Sequence, residues 1–417
     1  MITTINNKHN KLNVPNLRFK EFEGEWEKCK LGDYGKVVTG NTPPTKDIEN
    51  YENGTYLWAS PADLGTIKLI SETKTMLSAK GFSKTRALPK GSVLVTCIGS
   101  TIGKMGMATK EMSTNQQINS IVVNDNSDNE FVYYAIQSAF PRYLSSIAVQ
   151  AVPIISKSSF ELLPNQRPCL QEQKKIGKFL SLLDERIATQ SKIIEDLKKL
   201  KSAIIEKVFC SPNQKNPMCR IEGFEQALST YKMSDFSSRI ATKNKDSKCS
   251  LVLTIAAQYG FVNQESFFNK SIASENLTGY YLLHKGEFAY NRSYSAGYDW
   301  GAVKRLDNYD EGVLSTLYIC FKINETIVDS DYLTYYFEST KWHRGLSDIA
   351  GEGARNHGLL NVSMADYFNT KHRFPVIEEQ KAIAKILNAI TEKERKATLL
   401  GECYQKQKQY LLRQMFI

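Results

Sequence analysis

With 417 residues, 41% of them hydrophobic, the chain exceeds one ordinary core, which excludes a small single-domain module and predicts at least two domains. The formal net charge of +10 favours a polyanionic partner through phosphate neutralisation, and no stretch of about eighteen apolar residues offers a membrane span. Eight scattered cysteines with no C-x-x-C spacing argue for reduced thiols in a cytoplasm and against a zinc site.

In chain order, the opening MITTINNKHNKLNVPNLRFKEF has no charged-then-apolar signal pattern and reads as a soluble lead-in. Residues 1–165 alternate short β-rich runs, such as 92–98 and 120–123, with loops rich in Gly, Asn, Ser and Thr, and are predicted to form a mixed α/β domain. Residues 166–210 read as a long helix. Its apolar positions Ile176, Leu180, Leu183, Ile187, Ile194, Leu197, Ile204 and Val208 keep a four-three spacing that Gln190 and Lys201 interrupt. A second mixed domain is predicted over 211–372, with β runs at 251–255 and 317–323. A second helix follows over 373–417, with Ile383, Leu387, Ile390, Ala397, Tyr404, Leu411 and Met415 in frame and Glu394, Gly401 and Lys408 as weak points. At 1.5 Å per residue, about 38 residues of helix span roughly 57 Å, which suits a paired coiled coil better than a surface helix.

The two halves are copies. A shift of 207 residues lays 168–209 on 375–416 without a gap, and twelve of the 42 positions are identical. They are Pro168/Pro375, Glu172/Glu379, Gln173/Gln380, Lys174/Lys381, Ile176/Ile383, Lys178/Lys385, Leu180/Leu387, Glu185/Glu392, Glu195/Glu402, Lys199/Lys406, Lys201/Lys408 and Phe209/Phe416. Composition alone gives roughly two or three such matches. The preceding segments correspond more loosely: 30–34 with 232–236, 90–95 with 285–290, 131–138 with 332–339, and Ser158 with Ser363. The changing offset places insertions and deletions in the loops. The predicted class is α+β: two globular domains separated by two long helices that form an antiparallel coiled coil, with pseudo-two-fold repetition.

PCLQEQKKI at 168–176 and PVIEEQKAI at 375–383 resemble the proline-then-E-Q-K entry to the conserved helices of type I restriction-modification specificity subunits. STNQQI at 113–118 is similar to a segment of that family's target-recognition domains, as is Lys90-Gly91. The second domain has Leu314-Ser315-Thr316-Leu317 at that place, a departure that bears on which bases are read. The resemblance implies a non-catalytic subunit that reads a bipartite double-stranded DNA target. It implies two adenine-methyltransferase subunits and restriction/translocase subunits as partners. S-adenosylmethionine, ATP and Mg²⁺ would bind those partners and not this chain.

Base reading requires polar loop side chains: Asn, Gln and Arg pair with base edges, while Lys, Ser and Thr position phosphates. The candidates are Thr42, Lys46, Ser60, Ser100, Thr101, Lys104, Asn115, Gln116 and Gln117 in the first domain. In the second they are Lys243, Asn244, Lys245, Asn291, Arg292, Ser293, Tyr294, Ser315 and Thr316. The helical segments 166–210 and 373–417 carry ten and nine basic against six and five acidic residues, which is most of the net charge. They are solvated faces or surfaces for DNA or an acidic partner.

Catalytic motifs are weak. Asn41-Thr42-Pro43-Pro44 lacks the aromatic of an adenine-methyltransferase motif and reads as a turn, and 99–105 is one residue short of a phosphate-binding loop. The histidines His9, His284, His343, His357 and His372 have no metal spacing and read as surface or packing residues. Asp63 with Glu72 and Lys74 mimics a metal-dependent nuclease pattern, so a stand-alone endonuclease is the competing enzyme reading. A coiled-coil scaffold without DNA binding is a third, and it leaves the two divergent domains unexplained.

Overall fold

The computed structural model describes residues 2–4, 13–146, 153–245, 247–268, 276–293, 295, 297–349, 355–356 and 359–417. Four helices organise it: α1 (Asn129–Ser146), α2 (Leu170–Val208), α3 (Ser330–Glu338) and α4 (Ile377–Met415). The chain divides into two compact units, residues 1–191 with 399–417 and residues 192–398. Each long helix is thus shared between the units.

In the first unit a five-stranded sheet has the order Gly35–Thr39, Ile118–Val123, Val93–Thr96, Met105–Ala108, Leu69–Ile70. The strands from 93 to 96 and 105 to 108 are buried throughout, which is why they read as continuous apolar runs. A smaller sheet joins Met112–Thr114 in parallel to Tyr56–Ala59, which pairs antiparallel with Thr75–Leu77. Helix α1 covers the larger sheet with Phe131, Tyr134 and Phe140. The start of α2 (Ile176, Leu180), the end of α4 (Leu411, Met415) and Phe416 just beyond it join the same core.

The second unit repeats the plan with Ser237–Arg239, Ile319–Ile323, Phe288–Asn291 and Ala302–Arg305 as sheet neighbours in that order. Its core joins α3 to Ile205 of α2, to Phe209 just beyond that helix and to Ile383, Ala384 and Leu387 of α4. The two frames also agree at their closing helices, where Ser156 and Ser363 cap Lys157–Glu161 and Met364–Asn369. This moves the correspondence of Ser363 from Ser158 to Ser156, because the cap geometry, not the residue type, fixes the register.

The heptad frame holds along both long helices. Between 185 and 204 the partly or fully covered side chains are Ile187, Gln190, Ile194, Leu197, Lys201 and Ile204, and their neighbours are exposed. Glu394, Gly401 and Lys408 likewise face inward on α4. Within the first unit, Lys408 meets Asp184 at 2.6 Å and Arg186 lies over the Tyr404 ring, so rising numbers on α2 meet falling numbers on α4. Within the second unit, Lys201 contacts Glu394 at 3.1 Å while Ile205 lies in the cluster of Leu387 and Ile383. The pairing is antiparallel in each.

Candidate nucleic-acid interface

The helix entries explain the repeated Glu-Gln. Arg18 donates from Nε and Nη2 to the two carboxylate oxygens of Glu172 at 2.8 and 2.7 Å, and Arg220 does the same to Glu379 at 3.0 and 2.5 Å. Gln173 donates to the Pro168 carbonyl and accepts from the Asp128 backbone, while Asp128 caps α1 by accepting from Phe131 N. Gln380, Pro375, Asp329 and Tyr332 reproduce each of these bonds at the start of α3. Glu172, Gln173, Glu379 and Gln380 are all fully buried. The two residues therefore lock each long helix onto its globular part. The 202-residue offset of 30–34, carried twelve positions upstream, aligns Arg18 with Arg220, but it does not show that they meet the glutamates.

Sheet register gathers the polar loops. In the first unit Thr39 pairs with Asn119, Thr96 with Ile118 and Val95 with Met105, so the loops at 40–46, 97–104 and 115–117 leave one end of the sheet. Ser60 follows the strand whose Ala59 pairs with Thr114, and it comes to the same end. Thr42 donates from its hydroxyl to Gln116 Oε1 at 2.5 Å, and Cys97 N donates to the Gln117 carbonyl. Gly40 crosses so closely that a Cβ there would lie 2.2 Å from the Asn115 carbonyl oxygen, which only glycine permits.

The predicted residues on this end differ in how free they are. Lys46, Ser100, Lys104 and Gln116 are exposed, and Thr42, Thr101 and Gln117 are half-buried. Ser60 is committed locally: its backbone and hydroxyl both donate to Asp63 Oδ2. Asn115 is buried, with Nδ2 donating to Gln117 Oε1 and Oδ1 accepting from Gln117 N, so it builds the turn that presents Gln116.

The second unit assembles its loops in the same way. Arg239 pairs with Phe321, Tyr290 with Ile319 and Asn291 with Ala302, which brings 240–245, 292–293, 297–301 and 315–318 to one sheet end. Lys245, Ser293 and Thr316 are exposed. Lys243 donates to the Gly279 carbonyl and sits 3.7 Å from the centre of the Tyr281 ring. Asn244 is buried and closes a turn on Cys249 from both ends of its amide. Arg292 donates to the carbonyls of Leu317 and Val362, Asn291 Oδ1 accepts from Ser293 N, and Ser315 Oγ accepts from Leu317 N. Tyr294 lies outside the described residues, as do His9 and His357.

The nuclease look-alike does not assemble. Asp63 spends Oδ2 on Ser60 and Oδ1 on the Lys74 backbone, as a loop cap does. Among the described residues no three His, Cys, Asp or Glu side chains gather as a metal-binding group. Asn41 bonds Lys84 and Arg86 backbone groups, and the Pro43 and Pro44 carbonyls accept from Tyr51 and Asn50, which makes 41–44 a turn. His372 is packed between the Tyr336 and Thr370 hydroxyls, and burial pushes its pKa down to about 3. Burial raises the Cys97 and Cys320 thiols to about 12 each, so neither is a reactive thiolate. No described helix is long and apolar enough to cross a membrane.

Residues 23–199 match the family model of the type I restriction modification DNA specificity domain. The chain is 30% identical over 182 residues to the MjaIX specificity subunit of Methanocaldococcus jannaschii, covering 42% of each protein. It is 33% identical over 126 residues to the HindI specificity subunit of Haemophilus influenzae, covering 30% of this chain and 27% of that one. The matches thus span less than half the length of these curated relatives. Among solved structures, the type I restriction-modification S subunit from M. genitalium superposes with a TM-score of 0.60 at 17% identity, over 97% of this chain and 99% of that one. A structure from work on assembly and conformational transition of the type I R-M system gives 0.54 at 14% identity, over 93% and 96%. The sequence match thus lies in residues 23–199, and the likeness to the solved S subunits shows that the chain shares their fold over nearly its whole length.

Proposed function

We propose that the chain is a DNA-reading specificity subunit without catalytic chemistry of its own, each unit recognising one part of a bipartite duplex target. The observation that carries this is the gathering, in both units, of three polar loops at one sheet end, on frames that agree while the loops differ. Two similar readers with different loops suit two different half-sites. Lys46, Ser100, Thr101, Lys104, Gln116 and Gln117 in the first unit, and Lys243, Lys245, Ser293 and Thr316 in the second, are the side chains best placed for contact. Asn115, Asn244, Asn291, Arg292, Ser60 and Ser315 shape those loops by the bonds described. The partners are two adenine-methyltransferase subunits and restriction/translocase subunits, to which S-adenosylmethionine, ATP and Mg²⁺ belong, and the complex works in the cytoplasm.

Co-expression with a cognate adenine methyltransferase, followed by single-molecule sequencing of the host DNA, tests the reading. Methylated adenines should fall in a two-part sequence with an unread gap. Methylation confined to a short continuous site, or DNA cleavage by the purified chain with a divalent metal, would count against it.

A further inference from the structure

The hairpin of Leu253–Ala256 and Gly260–Asn263 is where the two units depart most clearly from a common plan. Val252 bridges in parallel to Val313, so the first hairpin strand runs beside Glu311–Leu314 in the same direction, towards the 315–318 loop. The Asn291 amide donates to the Ile255 carbonyl at 3.5 Å, and the Thr254 and Tyr318 hydroxyls are 2.9 Å apart. The strand is therefore level with the polar loops at its middle and has residues left to run. At about 3.3 Å per residue, its tip stands beyond that level. The tip is closed by a bond from Tyr259 N to the Ala256 carbonyl at 2.9 Å, followed by Gly260 at φ +78°.

In the first unit the corresponding strand, Tyr56–Ala59, has the same parallel relation to Met112–Thr114. There the chain passes through 60–74 before the return strand Thr75–Leu77, whereas the second unit turns within 257–259. Tyr259 is 70% exposed, the most exposed aromatic ring among the described residues. Gln258 beside it is also exposed, and no acidic residue occurs from 250 to 264. An uncharged tip with an amide and an unpacked aromatic ring suits the edges of base pairs. The amide can pair with adenine, and the ring can rest on a thymine methyl or on a base.

We propose that the 257–260 turn is a base-reading element of the second unit, with Tyr259 as a specificity-determining contact and Gln258 beside it. This rests on the DNA-reading function proposed above. The test compares the wild-type chain with Tyr259→Ala and Tyr259→Phe, each co-expressed with the methyltransferase partner, by mapping methylated adenines and by thermal melting of the purified complexes. Tyr259→Ala should melt as the wild type does and accept wrong bases at one or two positions of one half-site about tenfold more often, leaving the other half unchanged. Tyr259→Phe should keep the wild-type pattern. An unaltered target in Tyr259→Ala, equal relaxation of both half-sites, or loss of assembly with the methyltransferase would each overturn the assignment. A wild-type complex that methylates no bipartite sequence overturns the underlying reading instead, and that is seen before any variant is compared.

Discussion

Glu172 and Glu379 hold equivalent arginines, but in different surroundings. The Arg18 side chain is 6% exposed and that of Arg220 is 20% exposed, so water can take over more of the second pair when it is broken. Removing one member of a buried pair strands the other without solvent, at a cost of about 3–5 kcal/mol. Glu172→Ala should therefore approach that loss in the first unit, and Glu379→Ala should cost the second unit distinctly less. Hydrogen exchange resolved by segment measures each unit separately, which a single melting curve of a two-unit chain does not. Equal losses would show that burial of the arginine is not what sets the energy. The motif itself was visible as a repeated E-Q-K. Its role was not, because the partners lie 154 and 159 residues away in sequence.

Polar residues at seam positions are the corresponding question for whole elements. Lys201 and Lys408 occupy the same place in the repeat, and each faces a carboxylate from across the pair, Glu394 and Asp184 respectively. Asp184 also accepts from the Tyr134 hydroxyl at 2.5 Å and lies 3.7 Å from Lys68, which itself contacts Glu130 at 2.8 Å. Burial and the Asp184 carboxylate push the Tyr134 phenol well above its usual pKa, so it stays a donor. Such groups weaken a helix pair and fix its register in return. A cycle of Lys201→Leu, Glu394→Leu and the double variant should show each single change destabilising the second unit by about 1–3 kcal/mol, with the double variant recovering much of the loss. Simple additivity in urea unfolding followed by exchange would mean that the 3.1 Å contact carries no coupling. The heptad frame was readable with its interruptions. Which charge answers which interruption depends on an antiparallel register that no single helix encodes.

At the scale of the molecule, each compact unit takes its loops from one half of the sequence and its helix pair from both. If each unit reads its own half-site, replacing 211–372 by the equivalent segment of a relative should change one half of the methylated sequence and leave the other intact. Sequencing of the modified DNA decides it, and simultaneous change in both halves would end the modular interpretation. The exchanged segment retains Arg220 and Asp329 only if the donor carries them, so the donor must supply both anchors to its α4 entry.

The sequence by itself determined the duplication, the class of fold, both long helices to within four residues and the seam positions along them. These features are periodic or local, and a shift of 207 residues exposes them without any knowledge of contacts. It also placed polar candidates in segments that the structure shows as loops at one sheet end. Only the tertiary structure decided which of those side chains remain available. Asn115 and Gln116 are adjacent and chemically alike, yet one is spent inside a turn and the other faces outward. Composition cannot separate them, because the difference is made by the backbone of Gln117 and by the strand that Gly40 allows to cross beside it. The strand at 251–255 was read, but Gln258 and Tyr259 were not among the candidates for a similar reason: the direction of their hairpin is set by the parallel bridge to Val313, a long-range pairing that leaves no local signature in Ala256-Ala257-Gln258-Tyr259-Gly260.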